Sequence, residues 1–296
     1  MKVGVLMGGI SSEREISLMS GKEIVENLDI DKYEVIPIVV DSKIDIFDKV
    51  KDIDFAFIAL HGAFGEDGTV QSILEAMKTP YSGCGVLTSA ICMSKKQAKR
   101  IMKNQGLNVA EDINLKNKNF SITNIEKLKY PMVVKPNSGG SSVGTFIVRD
   151  RSELIDAINE AFKYDKEVLI EQYLQGEEYT IPILNGKIMP ILQIKTKETF
   201  FDYKAKYFDD KTEEVVVNLP KELEEQMEII ASKCWDIFDC KSYVRVDIIV
   251  SGGIAYVLEL NTAPGMTKAS LFPRSAKAAN MEYSELLNKI VEYSLI

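Results

Sequence analysis

Four polar side chains near the C-terminal end are spaced so that they could hold a metal ion and a phosphoryl group together. Arg245 and Asp247 are two apart in Tyr243–Val250, and Glu259 and Asn261 are two apart at the end of the run from Ile254 through Leu260. Residues two apart on a strand share a face. Arg245 and Asp247 therefore point one way, while Val244, Val246 and Ile248 point the other. Ser251-Gly252-Gly253 between the runs is a turn signal that makes them a hairpin. Read as a three-residue turn, it sets Arg245 opposite Glu259 and Asp247 opposite Val257, with all four polar groups on one side. Two carboxylates and an amide oxygen, with no Cys/His cluster, suit Mg²⁺ better than zinc. Asn261 runs into Thr262-Ala263-Pro264-Gly265, a stiff turn able to aim backbone N–H groups at an oxyanion. The same residues also fit an ordinary solvated sheet face with a salt bridge.

Three further elements carry chemistry. Lys135-Pro136-Asn137-Ser138-Gly139-Gly140-Ser141-Ser142-Val143-Gly144 is a strand-ending lysine followed by a hydroxyl-rich loop whose backbone donors can fold over phosphates. It is neither a Walker A loop nor a GxGxxG fingerprint, and taken alone it also fits a linker or surface turn. His61-Gly62-Ala63-Phe64-Gly65-Glu66-Asp67-Gly68 follows an apolar strand, where open α/β sheets collect ligands, and His61 is the sole histidine. A lone histidine can equally cap a strand. Asp202-Tyr203-Lys204-Ala205-Lys206-Tyr207 interleaves lysines with aromatics, as a lid closing over phosphate would, or a solvated loop.

These residues need a scaffold, and the periodicity predicts one. A strand at Lys2–Leu6, the tight Gly8-Gly9 loop and a helix start at Ser11-Ser12 open the chain. That helix presents Ile16, Ile24, Val25 and Leu28. Strands at Glu34–Val40 and Phe55–Leu60 and a helix at Val70–Met77 continue the alternation of a parallel α/β unit, residues 1–86. A second, α+β unit over 87–176 holds a basic helical stretch between Met93 and Leu107, with Lys95, Lys96, Lys99, Arg100 and Lys103. It continues with the strand Pro131–Lys135, the Ser/Gly loop, the helix Ser152–Phe162 and the strand Val168–Glu171. A third unit, 177–296, holds strands at Tyr179–Leu184 and Ile188–Ile194, the loop Phe200–Asp210 and a helix over Lys221–Phe238 before the hairpin. That helix buries Leu223, Met227, Ile230, Cys234 and Phe238.

The chain as a whole sets outer limits. Its 296 residues, 46% apolar, suffice for two or three cores. No stretch approaches the roughly 18 consecutive apolar residues of a bilayer span, and Met1-Lys2 leads into a strand rather than a signal-peptide core. A cytoplasmic protein without membrane partners is the expectation. Cys84, Cys92, Cys234 and Cys240 have no CxxC spacing and read as reduced structural thiols. The net charge of −8 argues against nucleic acid as a partner while leaving room for a local phosphate pocket.

In this order the four elements resemble the D-alanine–D-alanine ligase family of the ATP-grasp superfamily. The likeness covers nearly the whole chain, from Gly8-Gly9-Ile10-Ser11-Ser12-Glu13-Arg14-Glu15 to Asn261-Thr262-Ala263-Pro264-Gly265-Met266-Thr267. The individual motifs are weak to moderate signals; their joint order is highly specific. The resemblance implies an ATP-grasp fold of three domains, α/β and α+β, with a Rossmann-like N-terminal parallel sheet. It also implies ATP-dependent joining of two D-alanines through an acyl phosphate, for peptidoglycan precursor synthesis by a homodimer. Carried over by motif, Lys95, Lys135, Ser141, Ser142 and Lys206 hold the nucleotide phosphates, and Glu171, Tyr173, Leu174 and Glu178 meet adenine and ribose. Asp247, Glu259 and Asn261 are the implied Mg²⁺ ligands, with Mn²⁺ a possible substitute, and Arg245 with the Gly265 backbone stabilises the oxyanion. Glu13 binds the first D-alanine ammonium with His61 near its carboxylate, Ser141 and Tyr207 tie the loops together, and Ser270 and Leu271 shape the second-substrate pocket. Tyr207 and the apolar Leu271 favour a dipeptide product over D-lactate or D-serine partners.

The chain departs from the family pattern at Met93-Ser94-Lys95, usually Met-Asp-Lys, and at Phe201 and Lys204, where tyrosine and glutamate are common. Three other readings compete, the first being a different ATP-grasp ligase that forms an acyl phosphate on another carboxylate and passes it to another nucleophile. A nicotinamide dehydrogenase lacks its glycine fingerprint, and a non-catalytic nucleotide sensor leaves the acid pair and Arg245 unexplained.

Overall fold

The computed structural model describes residues 1–195 and 213–295. The expected lid, with Lys206 and Tyr207, lies outside them. At the N-terminus β1 (Lys2–Gly8), β2 (Glu34–Val40) and β3 (Phe55–Ile58) form a parallel sheet in the order β2-β1-β3. Val3, Val5, Phe55 and Phe57 pack on one face with Ile24 and Leu28 of the α1 (Arg14–Asn27) segment. Leu6, Ala56 and Ile58 pack on the other with Ile46 of α2 (Asp45–Lys49) and Val70 and Leu74 of α3 (Thr69–Ala76). A strand covered on both faces is apolar throughout, which is how these strands read.

Helix α1 departs from the predicted stripe. Its buried face is Ser17, Ser20, Gly21 and Ile24, while Ile16 and Val25 are half-buried. The helix lies so close to β1 that a Cβ on Gly21 would sit 2.5 Å from that of Met7. Ser17 then bridges two strand ends, its hydroxyl donating to Ala59 O at 2.7 Å and accepting the Gly8 N–H at 2.9 Å. Close packing and these bonds outweigh apolar periodicity here.

The middle sheet is antiparallel, in the order β4 (Asp112–Leu115), β7 (Val168–Gln172), β5 (Met132–Pro136), β6 (Phe146–Val148), and shares its core with the short α6 (Ile122–Ile125) and with α7 (Arg151–Ala161). The short β4 and β6 have too few residues to announce themselves. Helices α4 (Val86–Met93) and α5 (Lys95–Asn104), which the sequence places at the head of this unit, pack into the C-terminal core. Cys92, Ala98 and Met102 meet Val244, Val246, Leu260 and Cys234 there. All four cysteines are buried free thiols in that core.

The C-terminal sheet runs β11 (Glu213–Val216), β10 (Leu192–Lys195), β8 (Glu177–Leu184), β12 (Tyr243–Ser251), β13 (Ile254–Asn261), with β9 (Lys187–Ile188) beside β8 and α8 (Lys221–Ile237) packed on it. The strand expected at Ile188–Ile194 is broken at Met189-Pro190-Ile191, where proline has no N–H for the ladder. The hairpin also differs from expectation. Its turn is the two-residue Gly252-Gly253, at φ 58 and 79, flanked by the pair Ser251–Ile254. Ile248 pairs with Val257, after which a β-bulge makes Leu258 the extra residue. Asp247 then lies opposite Glu259, and Arg245 opposite Asn261. The bulge reverses the phase of β13: Ala255 and Val257 are core, Leu258 and Glu259 are both half-buried, and Leu260 is core again. An uninterrupted ladder would have carried Glu259 into the core behind Val257.

Candidate active site

All three sheets and the loops after them border a single cleft of ≈ 780 Å³. Every described residue of the expected set lines it, from Glu13 and His61 in the N-terminal part to Ser270 and Leu271 near the C-terminus.

From the N-terminal sheet come the loops after β1 and β3. Glu13, 8% exposed, accepts a short hydrogen bond from the Ser141 hydroxyl. Gly62, at φ 68, admits this carboxylate, since a Cβ there would lie 2.8 Å from Glu13 Oε2. His61 places Nδ1 3.2 Å from Glu66 Oε1 and Nε2 3.4 Å from Ser20 Oγ. Burial alone would lower its pKa, but Glu66 and Glu13 outweigh it and hold the imidazole above its ordinary value.

From the middle come the lysines and the hydroxyl loop. Lys95 Nζ lies 2.9 Å from Glu259 Oε2 and donates to Gly139 O at 2.8 Å, so one ammonium spans the loop and the hairpin. Burial would pull this lysine down; Glu259, Glu171 and Glu66 instead raise it. The α5 start that carries it is capped from outside. Asn137 accepts the Lys95 N–H on its carbonyl at 3.0 Å and the Lys96 N–H on its side chain at 2.9 Å, and donates to Ser94 Oγ at 3.1 Å. Ser94 thus makes no side-chain cap itself. Lys135 Nζ sits 2.5 Å from Glu171 Oε2, and burial with Lys99 and Lys95 nearby lowers it despite that partner. Ser141 and Ser142 hold left-handed φ values of 53 and 57. Tyr173, Leu174 and Glu178 lie along the connection into β8.

From the C-terminal sheet comes the polar hairpin face. Asp247 accepts Arg245 through both oxygens, at 2.9 and 2.7 Å, Thr180 Oγ1 at 2.6 Å and Asn261 Nδ2 at 2.9 Å. Gly265 and Ser270 are in close contact, a Cβ on Gly265 falling 3.0 Å from Ser270 Oγ. Leu271 joins Leu192 and Ile194 in a small apolar patch at the cleft.

Three partners of this set carry no role in the sequence reading: Glu66, Thr180 and Lys99. Two were within reach of simple spacing. Thr180 is two residues from Glu178 and hence on its face, directly opposite Asp247, and Lys99 is one helical turn beyond Lys95.

The arrangement offers clustered cations, acidic and amide oxygens and a turn of backbone donors around one space, the requirements of phosphoryl transfer to a carboxylate. Family models described as D-ala D-ala ligase C-terminus and D-ala D-ala ligase N-terminus match residues 101–292 and residues 2–49 and 43–84. A D-alanine–D-alanine ligase of Clostridium botulinum is 55% identical over 296 residues, covering 100% of this chain and 99% of the relative. A crystal structure of D-alanine–D-alanine ligase from Bacillus anthracis superposes with a TM-score of 0.93 at 49% identity, covering 100% of this chain and 97% of that one. A second from that organism, complexed with ATP, gives 0.92 at 46% with the same coverage.

Proposed function

The chain belongs to the D-alanine–D-alanine ligase family, and from that premise we propose that its cleft makes D-alanyl-D-alanine from ATP and two D-alanines through an acyl phosphate. Tyr173, Leu174 and Glu178, with Glu171 behind them, receive adenine and ribose. Lys95 and Lys135 hold the phosphates against the hydroxyl loop with Ser142, and Lys206 meets the γ-phosphoryl group. Concentrated positive charge there offsets the repulsion between a carboxylate and a triphosphate.

Glu13 takes the ammonium of the first D-alanine, and the raised pKa of His61 suits it to face that substrate's carboxylate. The carboxylate attacks the γ-phosphorus, ADP leaves, and the amine of the second D-alanine, seated against Ser270 and Leu271, attacks the acyl carbon. Arg245 and the Gly265 N–H stabilise the tetrahedral oxyanion before phosphate departs. Ser141, bonded to Glu13, and Tyr207 close the loops over these steps.

The donor set fits Mg²⁺: Asp247, Glu259 and Asn261 present oxygen ligands on one sheet face, and Mn²⁺ shares that chemistry. Asp247 already accepts four donors, so a cation there displaces one. Asn261, whose amide can turn its oxygen outward, is the one that yields. A bound Mg²⁺ supplies charge neutralisation between the phosphates.

The observation that supports this reading most is the bulged hairpin face of Arg245, Asp247, Glu259 and Asn261 bordering the same cleft as Lys95, Lys135 and Glu13. ADP release with D-alanine alone, and with D-serine or D-lactate added, tests it, with product mass identifying the bond made. Turnover with D-alanine alone, giving the dipeptide, is expected; no turnover with it overturns the substrate. The homodimer rests on the family resemblance, and sedimentation tests it. Among the described residues no helix is long and apolar enough to cross a membrane.

A further inference from the structure

Beneath the cleft lies an ion network with one member, Lys99, that the proposed steps do not use. Lys99 Nζ is 2.5 Å from Glu171 Oε1, while Lys135 Nζ is 2.5 Å from Glu171 Oε2, so one carboxylate is gripped at both oxygens. The Lys99 side chain is 3% exposed and does not line the cleft, whereas Glu171 and Lys135 do. Asp112 approaches Lys99 at 3.3 Å from the more open side. Glu171 alone with Lys135 would cancel the positive charge that a phosphate needs. With Lys99 on its other oxygen, the buried trio keeps a net positive charge, and Asp112, 27% exposed, is screened by water and offsets it weakly. The grip also orients Glu171, and through it Lys135. Because α5 carries both Lys95 and Lys99, one helix supplies a cation to the cleft and a second to its floor.

We propose that Lys99 is a positioning residue for ATP: clamped on Glu171 under the cleft, it holds Lys135 in place and keeps it electrostatically available to the nucleotide phosphates. This rests on reading Lys135 as a phosphate ligand. In K99M, Glu171 turns wholly onto Lys135. The KM for ATP rises about tenfold, the size of one lost charge in a partly solvated site. The KM for D-alanine and kcat stay within about twofold. The double variant K99M/E171Q, which frees Lys135 again, recovers part of the lost ATP affinity; a purely structural lysine would show no such recovery.

K135M is the control. If K135M leaves the KM for ATP unchanged, the reading of Lys135 fails. If K135M raises it while K99M, folded to the parent melting temperature, does not, the role of Lys99 is overturned. Should K99M not fold, K99Q, which keeps a hydrogen bond to Glu171 without the charge, takes its place, and a parental KM for ATP there overturns the proposal equally.

Discussion

In the middle sheet plain alternation brings a charge to the cleft: Met132 and Val134 are core, and Val133 and Lys135 face the opening. In the C-terminal sheet alternation would have failed, and Glu259 reaches the cleft because the bulge at Leu258 resets the strand's phase. The first arrangement depends on residue type at one position and on partners that keep a buried charge paired. The second depends on the number of residues between the turn and the acid, which side-chain identity does not encode. A bulge beside a polar cluster is therefore a length-sensitive device, and a regular strand beside one is a charge-sensitive device.

The comparison breaks most visibly if one alanine is inserted between Leu258 and Glu259. Every residue after the bulge then moves one place along the ladder, Glu259 takes the position of Leu260 opposite Val246, and an unpaired carboxylate enters an apolar core. A stability loss of about 3–5 kcal/mol by urea unfolding and no dipeptide are expected. Retained activity would show that the residue count between the turn and Glu259 does not set the site. Arg245→Ala probes the same face without changing its length. Dipeptide formation should fall about a hundredfold or more, while ATP affinity by calorimetry changes by less than about threefold. Equal losses in both would move Arg245 from the reacting centre to nucleotide binding.

On the charge-sensitive side, burial alone would raise the Glu171 pKa, but Lys135 and Lys99 lower it to about 2. A carboxyl held below its unfolded value stabilises the fold above the unfolded pKa and loses that contribution as pH falls through the folded one. The window therefore runs from about 4.5 down to about 2, and the contribution is on the order of 3 kcal/mol. Glu171→Gln should be less stable than the parent at neutral pH, with the difference closing across that window in chemical unfolding curves. A pH-independent difference would sever the link to ionisation. The smallest effect is expected at Asn137, which caps α5 from the neighbouring loop. Asn137→Ala should lose about 1–2 kcal/mol of stability, read as a lower melting temperature. No change would mean that Ser94 caps the helix unaided.

Much of the site was legible from spacing because β-strands and helices translate sequence distance into shared faces. Arg245 with Asp247 and Glu259 with Asn261 needed only the two-residue period, and the basic run after Met93 needed only the helical one. Less of the packing was legible. The apolar stripe read into α1 gave way to serines and a glycine, because close approach to β1 and hydrogen bonds to strand ends favour small polar residues there. Helices α4 and α5 joined the C-terminal core because their apolar faces match a sheet far along the chain, a pairing that local periodicity does not report.

The sequence by itself determined the alternating α/β order of the N-terminal unit, the chemistry available in each loop and the family whose motifs appear in this order. Tertiary structure alone decided the hairpin's register, the grip of Lys99 on Glu171 and the meeting of three sheets at one cleft. The reason is physical. Which residues share a face is local geometry, whereas alignment between strands and the partner of a buried charge follow from the relative free energies of burying distant segments together.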